Sequence, residues 1–229
     1  MRRLFFAMLA MALSGCVQVQ STVTAFHTLS TADLSKTLAV YPGDPEEQNS
    51  LERKAYVAKL EQHFEAVGFR VIPFGVAKQP DYVAIFNYGI DNGKQVTSNY
   101  AIPQWGVTGY SGSTTTGTVS SYGGYGTYNA TTTYTPQYGV TGYNTGTTTS
   151  TIYGRTIYLT LFDTHKIDPK NKASFDNAKV YEAKLTSSGA CGQIASVMDQ
   201  MLDALFKDFP GESGKAHKVN EPMKSGNGC

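Results

Sequence analysis

Residues 100–154 contain no aspartate, glutamate, lysine or arginine, and this stretch limits the possible folds more than any other feature. Glycine, threonine, serine and tyrosine make up most of it. Tyrosine and threonine favour β-strands, whereas glycine weakens strands and permits tight turns. Because its rings have few aliphatic neighbours, the stretch cannot build a hydrophobic core of its own. It predicts either a twisted β-ribbon or a loop that orders only on contact.

The same stretch contains an internal repeat. Residues 104–110 read QWGVTGY, and residues 137–143 repeat the pattern as QYGVTGY after an offset of 33 residues. A solenoid needs about three or more repeats, so two copies are too few to form one. The repeat instead predicts two arms of one long excursion, inserted between the strands that flank residues 100–154.

A large uncharged surface that carries tyrosine and tryptophan is typical of contact surfaces, because each ring supplies area at a small entropic cost. The candidate contact residues are Trp105, Tyr110, Tyr122, Tyr125, Tyr128, Tyr138 and Tyr143. Two other interpretations stay open. The stretch is an inert low-complexity linker, or it self-associates by cross-strand stacking, which the missing charge favours and the many glycines oppose.

The N-terminus has the order of an export signal. Arg2 and Arg3 come first, the ten residues 4–13 are apolar, and Ser14 and Gly15 are small. A helix needs about 20 apolar residues to cross a hydrocarbon core of about 30 Å, so this run is too short to span a membrane. The order of charge, apolar run and small residues is that of a signal peptide.

Leu13-Ser14-Gly15-Cys16 closes that signal and resembles the lipobox of bacterial lipoproteins. The resemblance implies that the cysteine thiol receives a diacylglycerol and that the peptide is cut before Cys16. Residues 1–15 are then the signal peptide, and residues 16–21 form a lipidated tether. Two or three acyl chains hold a protein at a membrane, since each buried methylene contributes about 0.8 kcal/mol. The alternative is an ordinary secretory signal that happens to contain a cysteine.

The sequence on either side of the insert predicts an α+β domain. We expect a mostly antiparallel sheet of about five strands with two packing helices over residues 22–211. Alternating or continuous apolar residues predict strands at 22–29, 37–42, 69–74, 81–91, 155–165 and 178–186.

Two segments have helical periodicity. The first begins with Asp44 as the expected cap and Pro45 at the first helical position, and it ends at Gly68. The second, residues 189–209, has the strongest periodic pattern in the chain. Residues 212–229 are polar and rich in glycine and lysine, so we expect a disordered tail.

Charge and cysteine content exclude some functions and leave others open. The precursor carries +1, and without Arg2 and Arg3 its 19 basic residues fall to 17 against 18 acidic ones. No charge excess therefore attracts the mature chain to nucleic acid. With Cys16 acylated, Cys191 and Cys229 either form a disulfide in an oxidising periplasm or remain free thiols.

No arrangement of residues predicts catalysis, and we expect no catalytic residue, no metal site and no cofactor. The four histidines lack metal-ligand spacing, and His63 is expected to be solvated on its helix. Asp163 and His165 lie on one face at a strand end, where turn capping is favoured over acid–base chemistry. Cys191 lacks an adjoining histidine or a CxxC motif. Gly123-Gly124-Tyr125-Gly126 lacks the lysine and helix of a phosphate loop.

The chain resembles the bacterial lipoproteins that contain domain of unknown function 4136. The resemblance rests on Phe26 in an early extended segment, PDYVAIFNYGID at 80–91, the tyrosine- and glycine-rich insert, TIYLTLFDTHK at 156–166 and a final helix ending at Phe209-Pro210. It spans residues 22–211 and implies an envelope-facing α+β domain without known catalytic residues. Lipoproteins without aspartate after the lipidated cysteine are typically sorted to the outer membrane, and Val17 occupies that position here.

These observations predict a lipid-anchored, non-enzymatic lipoprotein of the bacterial outer membrane that faces the periplasm. The membrane is reached through the N-terminal lipid, and the insert is presented to an envelope protein or a polysaccharide, with no nucleic acid as a partner. One alternative is a surface or matrix component whose insert self-associates. Another alternative is an envelope hydrolase.

Overall fold

The structure, a computed structural model, describes residues 18–44, 46–76 and 78–223. They form two compact units, which we call the domain and the arm. The arm comprises residues 95–150, and the domain comprises the described residues before and after it. The predicted signal peptide, Cys16, Pro45 (the predicted first helical position) and Cys229 lie outside the described residues.

One large sheet contains all the strands of the described chain. The eight strands are β1 (Gln18–His27), β2 (Thr37–Val40), β3 (Arg70–Val71), β4 (Tyr82–Ile90), β5 (Lys94–Tyr122), β6 (Tyr125–Asp163), β7 (Lys179–Gly189) and β8 (Ala216–Pro222). Their order is β3-β2-β4-β6-β7-β1-β8, and β5 pairs with β6 off this path. The first part of β6 belongs to the arm and its last part to the domain.

The described part of the chain has three α-helices: α1 (Leu51–Ala66), α2 (Ala173–Ala178) and α3 (Met198–Phe206). The cap of α1 is Ser50, whose side chain accepts a hydrogen bond from the backbone N–H of Arg53 at 3.2 Å. The expected cap, Asp44, instead accepts a hydrogen bond from the Tyr41 hydroxyl at 2.9 Å. The last helix begins at Met198 rather than at residue 189, because a short 3₁₀ turn precedes it.

The predicted fold class was wrong. Strands make up 54% of the chain and form a mixed sheet of eight strands with three helices, in place of a mostly antiparallel sheet of about five strands with two helices. The parallel pairs are β2 with β3 and β2 with β4. Helix α1 connects β2 to β3 and returns the chain to the end of the sheet where β2 begins. A strand that follows such a crossover runs parallel to the strand before it.

Two segments expected to lie outside the sheet belong to it. Residues 18–21 of the predicted tether are the first part of β1. Residues 216–222 of the predicted disordered tail form β8, which pairs antiparallel with β1. Only Val219 of β8 is buried. Its mostly polar sequence gives little sign of a strand, and its position depends on pairing with a segment almost 200 residues away.

The core lies on one face of the domain sheet. Helices α1 and α3 contact each other and cover that face, while the opposite face is largely exposed. The buried side chains include Val23, Ala84, Phe86, Ile157, Leu159, Leu161 and Leu185 from the strands and Leu60, Phe64, Met201 and Leu205 from the helices. The domain is therefore a two-layer structure with alternate residues of each central strand facing the helices.

Asp81 fixes the start of β4 against β2, and this contact predicts a pH dependence. Its carboxylate accepts hydrogen bonds from the Thr37 hydroxyl at 2.6 Å and the Thr37 backbone N–H at 2.8 Å. These bonds hold the pKa of Asp81 below its ordinary value of 3.8. Because the folded-state pKa is lowered, the stabilisation is present above the unfolded-state pKa and is lost as the pH falls through the folded-state pKa.

We expect Asp81→Asn to lower the urea midpoint of unfolding near neutral pH. The difference from the native chain should shrink as the pH falls below about 4, where the native carboxylate also becomes protonated. Urea titrations of both chains over a pH series measure this. A difference that stays constant across the acid range would contradict a role for the Asp81 charge.

Candidate interaction surface

The arm is a β-hairpin in which β5 and the first part of β6 are joined by a two-residue turn. Gly123 and Gly124 both have positive φ, +62° and +88°. Two consecutive residues with positive φ form the type I′ turn, whose twist matches that of the flanking strands. From the sequence we compared this glycine pair only with a phosphate loop, which it does not match. Two adjacent glycines between strand-forming tyrosine and threonine runs are the signal that would have identified the turn.

We expect Gly123→Val to open the arm locally, because a β-branched residue is strained at positive φ by about 1–2 kcal/mol. Amide hydrogen exchange of the arm should accelerate roughly 5- to 30-fold. Gly123→Asn is the matched control, since asparagine tolerates this conformation. Exchange rates of the arm that are equal in the valine and asparagine variants would contradict the assigned turn.

The two copies of the repeat lie opposite each other across the hairpin. A Cβ added to Gly106 would lie 3.1 Å from the Thr141 methyl group, and one added to Gly139 would lie 3.0 Å from the Thr108 methyl group. Each threonine therefore packs over the glycine of the other copy. The glycine and threonine of the repeat are two positions apart, so both pairs share one face of the ribbon.

The hydrogen bonds across the repeat are reciprocal as well. The Thr108 hydroxyl donates to the Gln137 carbonyl at 3.4 Å, and the Thr141 hydroxyl donates to the Gln104 carbonyl at 3.2 Å. Each threonine of one copy thus bonds the glutamine that opens the other copy. The repeat pairs with itself about a local pseudo-twofold axis.

The other face of the paired repeat is apolar. Val107 and Val140 are the central residues of the two copies and lie opposite each other. Trp105 and Tyr138 are two positions before these valines in their strands, so alternation places them on the same face. This face carries an uncharged strip of two rings and two valines, each of which is exposed.

All seven predicted contact residues lie in the arm or at its turn and are exposed. Their exposed fractions run from 62% to 93%, and the residues are Trp105, Tyr110, Tyr122, Tyr125, Tyr128, Tyr138 and Tyr143. Within the arm, Tyr110 lies 5.3 Å from the ring of Tyr134. Apart from such neighbour contacts, the rings bury little area against the described residues of the ribbon.

The outer edges of the arm are unpaired among the described strands, because β5 pairs with β6 and the arm part of β6 pairs with β5. Open edges present rows of free N–H and C=O groups that can bind another strand. A two-stranded ribbon is marginally stable by itself in water, and stable sheets need three or more strands or a covered face. The arm thus has the physical character of a surface that a partner covers.

Asp163 and His165 contact each other, with His165 Nδ1 3.3 Å from the Asp163 carboxylate, and this contact belongs to a capped turn. Asp163 caps the turn that contains His165, accepting a hydrogen bond from the His165 backbone N–H at 3.1 Å. His63 was expected to be solvated, but its ring stacks on Phe206 at 5.0 Å and lies 3.6 Å from the Asp203 carboxylate. The described residues hold no group of three or more histidine, cysteine, aspartate or glutamate side chains suited to a metal ion.

Cys191 is 6% exposed and is disulfide-bonded. The other two cysteines of the chain, Cys16 and Cys229, lie outside the described residues. The pairing of Cys191 with Cys229 therefore stays a prediction. Within the described residues, none of the helices has the length and apolar character needed to cross a bilayer.

A two-layer domain with an exposed β-arm is the class of protein that the fold and the surface define. The chain belongs to the family Domain of unknown function (DUF4136), which it matches over residues 22–211. This confirms the predicted resemblance to domain of unknown function 4136, whereas the lipoprotein part of the prediction stays a prediction.

No curated protein is detectably similar to the chain. A structure described as a PDZ domain protein from Parabacteroides distasonis ATCC 8503 is similar at 11% identity with a TM-score of 0.43. The similarity covers 96% of this chain and 42% of that one, so the chain spans less than half the length of that protein. A likeness at this level carries no argument about function.

Proposed function

We propose that this chain is a lipid-anchored, non-enzymatic protein of the bacterial cell envelope and that the arm is its interaction surface. One observation carries the proposal: the arm exposes a tryptophan and many tyrosines on a two-stranded ribbon whose outer edges are unpaired among the described strands. Aromatic residues of this kind are enriched at interfaces because they bury a large area at a small entropic cost.

A protein is the partner class that the open edges favour. A third strand can pair with an exposed edge through its own alternating N–H and C=O groups, and side-chain contacts then give specificity. The exposed apolar strip of Trp105, Val107, Tyr138 and Val140 supplies such contacts. A polysaccharide could stack on the rings, but it has no backbone amides with which to extend the sheet.

Self-association is the second candidate function, and the reciprocal pairing of the repeat supports it. Each copy of the repeat already pairs antiparallel with the other inside one chain, through Gly106–Thr141 and Gly139–Thr108. Arms of two chains carry the same complementary sequence. An exchange of β5 between two chains would preserve these contacts, as in domain swapping.

The lipid anchor rests on the signal sequence and on the lipobox that ends at Cys16. A thiol that forms a thioether with diacylglycerol cannot also form a disulfide. Because Cys191 is disulfide-bonded, anchoring at Cys16 requires Cys229 as the partner within one chain. The proposal therefore predicts a Cys191–Cys229 cross-link in the mature protein, facing the oxidising periplasm at the outer membrane.

We expect Cys16→Ser to abolish acylation and release the protein from the membrane fraction. Intact-mass spectrometry measures the mass added by the acyl chains, and non-reducing peptide mapping identifies the disulfide. Cys191→Ser is the control variant, since it should remain acylated and membrane-bound. A cross-link between Cys16 and Cys191 in the native protein would contradict the lipid anchor directly.

Deletion of the arm tests the interaction surface. Gly93 and Thr151 are adjacent, since a Cβ on Gly93 would lie 2.6 Å from the Thr151 methyl group. A short turn can therefore replace residues 95–150. We expect the deletion variant to keep the circular dichroism of a folded domain and its membrane attachment but to lose its cross-linked protein complexes in intact cells. Complexes that persist without the arm would contradict the proposal.

The nature of the complexes decides between the two functions. A cross-linked species at twice the mass of the chain that contains only this protein supports self-association. A species that contains a second, reproducible protein supports the first function. Cross-linking to polysaccharide alone would contradict a protein partner.

A further inference from the structure

Arg155 is a charged residue at a core position. It lies in β6 in the same alternating phase as Ile157, Leu159 and Leu161, all of which face the helices and are fully buried. Arg155 itself is only 3% exposed. A charged side chain at this depth is normally paired, because an unpaired buried charge is strongly destabilising.

Arg155 has no such partner among the described residues. Within the part of the chain that the structure describes, its Nε makes no hydrogen bond and no acidic side chain lies within ion-pair distance. Burial lowers the pKa of its guanidinium. Arg53 is buried to a similar extent, with 5% of its surface exposed, but it has partners. Arg53 donates from Nε to the Pro42 carbonyl at 3.3 Å and lies 3.9 Å from the Glu47 carboxylate.

The Arg155 side chain borders a cavity of about 180 Å³ in the domain. Val19, Val197 and Met223 give the cavity an apolar lining, and Gln18, Ser188 and Ala190, which also line it, are exposed or lie at the surface. Gly189 and the disulfide-bonded Cys191 also line the cavity, and its exposed lining residues make it accessible from solvent.

Gly189 makes room for the guanidinium. A Cβ at this position would lie 2.6 Å from the Arg155 Nη2 atom. The backbone of Gly189 does not have positive φ, so its missing side chain serves close approach rather than a turn.

Two further buried polar side chains lie beside Arg155 on the neighbouring strands. Ser187 is paired with Arg155 in β7, and Ser21 is paired with Ser187 in β1. Both hydroxyls are buried and, like Arg155 Nε, make no hydrogen bond among the described residues. Three adjacent strands thus place a guanidinium and two hydroxyls in one row on the core face, where apolar residues would be expected.

We propose that this cavity binds a small monocarboxylate, whose two oxygens accept hydrogen bonds from Arg155 and whose short apolar chain contacts Val19, Val197 and Met223. A single guanidinium without a neighbouring lysine matches one negative charge. Its planar fork matches the two oxygens of a carboxylate. A phosphate, which carries about −1.5 to −2 charges on a tetrahedron of oxygens, calls for more donors than this cavity supplies.

Butyrate, butyramide and inorganic phosphate are suitable probes for the full mature chain. Titration calorimetry and the ¹⁵N-detected Arg155 Nε–H signal report binding. We expect saturable binding of butyrate with a shift of the Arg155 signal, binding of phosphate at least tenfold weaker, and no binding of the neutral butyramide. Equal binding of butyramide or phosphate would overturn the assignment, and so would the absence of saturable butyrate binding.

Three variants connect the binding to the residues. Arg155→Met should lose butyrate affinity at least tenfold, and Gly189→Ala should weaken it because the added methyl group displaces Nη2. Arg70→Met is the matched control, since Arg70 is exposed and lies in β3. Circular dichroism confirms that each variant is folded. Unchanged affinity in Arg155→Met, or an equal loss in Arg70→Met, would overturn the proposal.

Discussion

Replacing Phe64 by alanine is expected to lower the free energy of unfolding of the domain by about 3–5 kcal/mol. Phe64 is fully buried on α1. Its ring meets those of Phe69 at 5.6 Å, Phe206 at 5.0 Å and Phe209 at 6.0 Å, each edge to face. The substitution removes the centre of this cluster and leaves a cavity between α1, α3 and the sheet. Urea denaturation followed by circular dichroism measures the loss.

Phe26→Ala is the matched control for Phe64→Ala. Phe26 lies in β1 and is 59% exposed, so the same chemical change should alter the free energy of unfolding by less than about 1 kcal/mol. If the two variants lost similar stability, the aromatic cluster between α1 and α3 would not be the centre of the core.

Replacing Arg155 by methionine is expected to stabilise the domain, whereas Phe64→Ala destabilises it. In carboxylate-free buffer, the free energy of unfolding should rise by about 1–3 kcal/mol, because the substitution replaces an unpaired buried charge with an apolar side chain of similar length. Added butyrate should raise the free energy of unfolding of the native chain by RT ln(1 + [butyrate]/Kd) but leave that of Arg155→Met unchanged. The same urea titrations, with and without butyrate, measure both effects.

Arg53→Met provides the comparison for Arg155→Met. Arg53 is buried to a similar extent, but it has acceptors in Pro42 and Glu47 and lies over the rings of Phe86 and Tyr88. Its removal should lower the free energy of unfolding by about 1–3 kcal/mol, because it leaves those acceptors without a donor. Two losses of equal size would contradict the claim that Arg155 lacks a partner among the described residues.

Local sequence patterns predicted where most elements lie, but not how the strands pair. The predicted strands at 81–91 and 155–165 overlap β4 (Tyr82–Ile90) and the end of β6 (Tyr125–Asp163). Their alternation is a local property that sequence displays directly. The order of strands, and the parallel pairing of β2, depend on long-range contacts and on the return of the chain through α1. The fold class was wrong for this reason.

The pairing of β8 with β1, at the two ends of the described chain, could likewise not be predicted from local sequence patterns. Val219 is the only buried residue of β8, so the strand lacks the alternating apolar pattern by which strands are recognised. Its pairing with β1 supplies backbone hydrogen bonds that no local pattern encodes. A single buried position within a charged segment was too weak a signal to distinguish a strand from a tail.

The position of the arm could be predicted from the sequence, whereas the missing partner of Arg155 could not. The absence of charge and the repeat at 104–110 and 137–143 located the arm, but not the reciprocal contacts between the copies, which depend on the register set by the turn at Gly123 and Gly124. Arg155 could have been noticed as a charge in phase with three buried aliphatic residues. Its missing partner, in contrast, becomes apparent only when the neighbouring strands are in place.

The most direct test of the arm as an interaction surface is site-specific photo-cross-linking in intact cells. A photo-reactive amino acid is placed at Trp105, at Tyr138 or, as the control, at Tyr158, which is 48% exposed on the open face of the domain sheet. We expect a discrete protein cross-link from positions 105 and 138 and none from position 158. Cross-links from position 158 alone, or equal yields from all three positions, would contradict it.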